Sequence, residues 1–147
     1  YVFSISNDHY GKAISSIDTD NEVVQGRPHG GLAILWREEL ANMCTIVEHD
    51  DNRFLSIVIN NGNKLVQLVN VYFPYDSNDN VDDFMFCLAK ADSIVCDADS
   101  PYVYICGNFN SNVLVETRFG KELKLFCNNV NLVISDVLLN QMACIHT

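Results

Sequence analysis

Short apolar runs of β-rich character fill the first half of the chain, and two stretches with a helical period follow. The candidate strands are Val2 to Ser6, Lys12 to Ile17, Gly31 to Trp36, Cys44 to Glu48, Phe54 to Asn60, Leu65 to Phe73 and Tyr102 to Cys106. Phe54 to Ile59 alternates imperfectly, but it is rich in the β-branched and aromatic types that suit a pleated surface. Asn60-Asn61-Gly62-Asn63 separates that run from the next. Asn-Gly between two such runs predicts a hairpin, because both residues tolerate positive φ.

The first helix is predicted from Val81 to Cys96, with Val81, Phe84, Met85, Leu88, Ala91 and Val95 recurring at three- and four-residue steps on one face. Asn80 stands where a cap is wanted, and Asp82 and Asp83 suit the positive end of the helix dipole. A second helix is predicted from Arg118 to Asn129, with Phe119, Leu123, Phe126, Cys127 and Val130 inward and Asn128-Asn129 as its stop. A strand meander followed by helix, strand, helix and strand implies a sheet-rich α/β sandwich rather than a helical bundle or a dinucleotide-binding fold. The Gly107 turn follows a hydrophobic strand, the place where α/β proteins commonly put ligand chemistry.

Composition narrows this picture. With 147 residues, 48% of them hydrophobic, the chain has the size of one domain and enough apolar surface for a core. The longest apolar runs, such as Leu32 to Trp36 and Val103 to Cys106, are too short to cross a bilayer, and no secretory signal is seen. Nine Lys and Arg stand against 19 Asp and Glu, a net charge of −10 that repels phosphate backbones at long range. A local basic groove or a bound cation could still reverse that field nearby. The six cysteines form no C-x-x-C pair, and Cys87 and Cys127 fall within helical patterns, so reduced thiols in an intracellular compartment, cytoplasm or nucleus, are expected. The chain opens on Tyr1 with a strand-like segment and closes on Ala143 to Thr147, and both ends read as cut.

Three segments carry the chemistry. Tyr102 to Asn110 is an apolar strand ending in Gly107, then Asn108-Phe109-Asn110. Leu68 to Tyr75 is a strand carrying Asn70 and Tyr72 and stopping at Pro74. Gly26 to Arg37 is a glycine-bearing turn entering a buried strand, with Arg27, His29 and Trp36. In this order and spacing they resemble the endonuclease/exonuclease/phosphatase superfamily, and within it the AP-endonuclease-like domain of non-LTR (LINE-type) retrotransposons. The family's G-D-F-N turn matches Gly107 to Asn110, its N-x-Y-x-P strand end matches Asn70, Tyr72 and Pro74, and its G-R-P-x-G-G-x-A-x-x-W segment matches Gly26 through Trp36.

The resemblance implies an incomplete four-layer α/β/β/α sandwich of the DNase I-like type, spanning residues 1–147 as a single partial domain. It implies Mg2+-dependent phosphodiester hydrolysis of DNA as the family activity, with no small-molecule cofactor and no membrane. Asn108, Asn110 and Tyr72 then occupy the positions of the catalytic Asp, the phosphate-placing Asn and the tyrosine that approaches the scissile phosphate. Asn108 departs from the family. A carboxamide has the volume of a carboxylate but accepts no proton at neutral pH and brings no charge to a cation. Losing a general base typically costs about 10²–10⁴ in rate. The family's metal-binding Glu would precede Tyr1 and its S-D-H segment would follow Thr147; His146 does not match that histidine.

The expectation is a degenerate, inactive phosphodiesterase fragment that neither binds Mg2+ nor holds DNA tightly. Two readings stand beside it: an active Mg2+-dependent nuclease or phosphatase if the chain is an excerpt, and a non-catalytic binding module. Blander readings also apply. Asn108 serves as an ordinary turn residue, His29 and Arg27 as turn and structural residues, and His49-Asp50-Asp51 as a polar strand connection. Asp18 to Glu22 and Asp76 to Asp83 lack the glycine and final glutamate of a calcium loop.

Overall fold

The structure is a computed structural model, and it describes residues 2–3, 9–14, 31–135 and 143–146. Two sheets are present among them. The smaller joins β1 (Val2–Phe3), β2 (His9–Ile14) and β3 (Leu32–Arg37) as an antiparallel meander. The larger is built from β4 (Cys44–Val47), β5 (Phe54–Asn60), β6 (Leu65–Tyr72), β7 (Tyr102–Asn108), β8 (Leu132–Ile134) and β9 (Ala143–His146). Its order is β4-β5-β6-β7-β9-β8. Only β6 and β7 run parallel in it, and α1 (Val81–Cys96) makes the crossover that a parallel pair requires. A second helix, α2 (Arg118–Asn129), follows β7.

One core lies between the helices and the large sheet. Phe54, Val69, Val71 and Phe73 meet Phe84, Leu88 and Ala91 of α1 and Phe119, Leu123 and Phe126 of α2. The other lies between the sheets, where Leu32, Ile34 and Trp36 of β3 pack on Leu55 and Ile57 of β5. The described layers are therefore α/β/β, three of the four expected, in a mixed α/β architecture. This double coverage explains why β5 does not alternate. Phe54, Leu55, Ser56 and Ile57 are all buried because both faces of the strand are covered. β3 has a covered and an open face, and its burial alternates cleanly.

The hairpin forms where expected, with β5 and β6 joined through residues 61–64. Gly62 has the positive φ, +83°, while Asn61 holds the turn by accepting from the N–H groups of Asn63 and Lys64 at 3.1 and 2.8 Å. Other details differ from expectation. Met85 is 41% exposed, and the buried stripe of α1 is Phe84, Cys87, Leu88, Ala91 and Ile94. The stripe is rotated because α1 must meet α2 as well as the sheet: the rings of Phe84 and Phe119 stack at 3.9 Å. Asn80 precedes α1 but makes no cap bond; its Nδ2 donates to the Tyr75 carbonyl at 3.0 Å and ties down the loop instead. The capped helix is α2, whose Thr117 Oγ1 accepts from Gly120 N–H at 3.1 Å. α2 ends at Asn129 as predicted, and the left-handed residue beyond it is Asn131 at φ 56°.

β2 begins at His9 rather than Lys12, and β7 continues to Asn108 rather than ending at Cys106. Cys44, Cys87, Cys96 and Cys106 are free thiols, and burial pushes the Cys87 thiol up to about 11. No helix among the described residues is long and apolar enough to cross a membrane.

Phe73 is the hub of the helix-facing core, fully buried, with ring contacts to Phe54 at 5.8 Å, Phe84 at 5.7 Å and Phe109 at 5.2 Å. Replacing it with alanine is expected to lower stability by about 3–5 kcal/mol, measured by urea denaturation. Tyr75→Ala, at a side chain 67% exposed, should stay within about 0.5 kcal/mol of the native chain.

Candidate functional site

The matched residues come together where β6 and β7 end side by side. In the parallel register Asn70 pairs with Cys106, Val71 with Gly107 and Tyr72 with Asn108. Beyond the last pair, Phe73 N–H donates to the Asn108 carbonyl at 2.8 Å. Gly107 is required twice over. Its φ is +126°, and a Cβ there would lie 2.1 Å from the Val71 carbonyl oxygen and 2.7 Å from Asn70 Oδ1.

The turn after it is a hydrogen-bonded clasp. Asn108 Oδ1 accepts from the Asn110 N–H at 2.9 Å, which bends the chain back by a side chain-to-backbone bond two residues on. Phe109 plunges into the core at 2% exposure. Asn110 takes the left-handed conformation at φ 46°, a region asparagine tolerates, and its Nδ2 donates to the Phe73 carbonyl at 2.7 Å. Asn70 adds the second sheet, donating from Nδ2 to the Ala33 carbonyl of β3 at 3.1 Å. Tyr72 stays 39% exposed beside this clasp and Asn108 is exposed as well. The structure thus gathers Asn70, Tyr72, Asn108 and Asn110, the residues singled out in two of the three segments.

The third segment enters only in part. Gly31 to Trp36 leads into and forms β3, whereas Arg27 and His29 lie outside the described residues. His146 sits on β9, where Cys106 faces Ala143 and Tyr104 faces Ile145, so the register carries it away from the Asn108 end. His49-Asp50-Asp51 is indeed the connection between β4 and β5, with His49 Nε2 2.7 Å from Ser56 Oγ and Asp50 bonded to Lys90.

Next to the clasp lies an open cavity of about 370 Å3 that the sequence did not announce, lined by Asp76, Asn110, Ser111, Asn112, Val115 and Thr117. The only hint in the sequence is the run of asparagines at 108, 110 and 112. Most of its surface is apolar, and Asp76 is the one carboxylate in its lining. A hard divalent cation takes six or more oxygen ligands with charged carboxylates among them. Among the described residues no group of three or more His, Cys, Asp or Glu could hold a metal ion, and Asn108 adds no charge. The described residues around this strand end do not fit Mg2+.

With this geometry in view, comparison with solved structures is informative. The endonuclease domain of TRAS1, a telomere-specific non-LTR retrotransposon, superposes over 93% of this chain and 65% of its own, with a TM-score of 0.62 at 13% identity. The human Nocturnin catalytic domain, solved with a bound sulfate anion, superposes over 94% of this chain and 60% of its own, with a TM-score of 0.57 at 13% identity. This chain accordingly has the DNase I-like fold of endonucleases, exonucleases and phosphatases. It spans 65% and 60% of the length of these two neighbours. No protein-family model matches the sequence, and no curated protein does.

Gly107→Ala is expected to lower stability by about 3 kcal/mol or more, because strain and overlap add at one backbone position. Asn110→Gly keeps the permitted φ and loses only the bond to Phe73, so it should cost about 1 kcal/mol. Urea midpoints of the two variants check both values.

Proposed function

We propose that the chain carries the strand-end scaffold of a phosphodiesterase domain of the retrotransposon-endonuclease kind, in a form that does not hydrolyse phosphate esters. The supporting observation is Asn108, placed after Gly107 at the end of β7, in the position that the resemblance gives to the catalytic aspartate. A carboxamide cannot take a proton from water at neutral pH. Its Oδ1 is already engaged with Asn110 N–H, so the group is turned to holding the chain. Asn110 and Tyr72 remain beside it, an amide and a phenol that can each hydrogen-bond a phosphate, but neither can replace a base that contributes about 10²–10⁴ in rate.

DNA is the polymer that the fold's retrotransposon relative suggests, and the net charge of −10 makes this chain a weak ligand for it. Incubation of supercoiled plasmid with the purified chain and Mg2+ is expected to leave the plasmid intact. Nicking that is abolished by EDTA and by Asn110→Ala would overturn the proposal. Filter binding of duplex DNA at low salt should show no salt-sensitive retention.

A further inference from the structure

The β5–β6 hairpin closes through the chain's one Asn-Gly pair, Asn61-Gly62. Residues 60–64 are all exposed, and a Cβ built on Gly62 would meet nothing within 4 Å, so solvent reaches the turn. Asparagine followed by glycine is the pair most open to attack of a backbone nitrogen on a side-chain amide. Glycine puts no Cβ in the way of ring closure and leaves φ and ψ free to bring the groups together. The chain's one Asn-Ser pair, Asn110-Ser111, is placed differently. There Asn110 Nδ2 donates to the Phe73 carbonyl and Ser111 is 6% exposed.

Two carboxamides hold the exposed turn shut. Asn60 Oδ1 accepts from the Gly62 N–H at 2.9 Å, and Asn61 Oδ1 accepts from the N–H groups of Asn63 and Lys64 at 3.1 and 2.8 Å. In the closed hairpin the nucleophile and the electrophile of such an attack are therefore each engaged elsewhere. Gly62 N must give up its proton before it can react, and the bond to Asn60 keeps that proton in place. The Asn61 amide must swing to bring Cγ onto Gly62 N, and its two bonds oppose the rotation. A turn of this kind opens locally at small cost, with the strands on either side intact.

We propose that Asn61-Gly62 is a deamidation site gated by the Asn60 side chain: the closed turn protects it, and reaction proceeds from the opened turn. In the opened turn Gly62 N loses its proton to solvent base and bonds to Asn61 Cγ. The Cγ–Nδ2 bond breaks, and ammonia leaves with a proton from water. A second water then opens the five-membered imide at either carbonyl. Opening at Cγ leaves aspartate; opening at the main-chain carbonyl leaves isoaspartate, with one more carbon in the backbone. Either product carries one more negative charge than asparagine. Isoaspartate also lengthens the connection that sets the register of β5 against β6.

Peptide mapping by mass spectrometry of the full chain, held at mildly alkaline pH and sampled over days, tests this. Conversion at Asn61 should be faster than at Asn110 and should yield both aspartate and isoaspartate. The native chain in guanidinium chloride should convert about tenfold faster than the folded chain, because the bonds that close the turn are lost. Well below the melting transition of each variant, Asn60→Ala should speed conversion about fivefold, the weight of one hydrogen bond. Asn60→Asp keeps the acceptor oxygen and should stay within about twofold of the native rate. The comparison in denaturant uses the native chain alone, so it stands even if a variant folds poorly. Equal rates in the folded and denatured chain, no conversion at Asn61 in either, or a folded Asn60→Ala chain that converts at the native rate would overturn the proposal.

Discussion

Where β6 and β7 run out together, the two backbones approach so closely that only glycine passes at position 107. A Cβ there would come within 2.1 Å of the Val71 carbonyl. This approach lets Phe73 N–H reach the Asn108 carbonyl, and Asn110 then reaches back to the Phe73 carbonyl. Two chain segments 37 residues apart in sequence are thereby locked at one point. The rings of Phe73 and Phe109 lie directly beneath, 5.2 Å apart, so the polar clasp above and the aromatic core below fix each other. The parallel register of β6 and β7 ends at this junction, and Asn70 beside it donates to the Ala33 carbonyl of the second sheet.

On the proposed reading, the same junction would let a site keep its shape without its chemistry. What the turn asks of residue 108 is an acceptor oxygen two residues before the Asn110 N–H. A carboxamide supplies it as well as a carboxylate does. What the proposed hydrolytic role would ask of that position is proton affinity and negative charge, and an amide has neither. Folding therefore gives no resistance to the exchange, whereas activation of water does. Tyr72 and Asn110 persist beside the clasp because one completes the strand register and the other holds the turn.

The elements legible in the sequence are those whose signal is local. The β5–β6 hairpin was readable because Asn61 and Gly62 close it through their own backbone and side chain, and α2 because its apolar period meets one surface. α1 was legible in extent but not in facing, since the stack of Phe84 on Phe119 turns it toward a partner distant in sequence. β5 was legible in extent, Phe54 to Asn60, but its pattern did not tell its faces apart, because both are covered. The order β7-β9-β8, in which β9 inserts between two strands that precede it, leaves no trace in local pattern. The clasp was legible as a set of residues because Gly107, Asn108 and Asn110 sit in one short turn, but their hydrogen bonds to Phe73 were not.

Position 108 serves the fold as a neutral acceptor. Equilibrium urea unfolding of the native chain beside Asn108→Asp and Asn108→Ala, without divalent cations, tests it most directly. The aspartate variant should match the native stability within about 0.5 kcal/mol, and the alanine variant should fall about 1 kcal/mol below it. An alanine variant as stable as the native chain, or an aspartate variant displaced by more than about 1.5 kcal/mol, would contradict it.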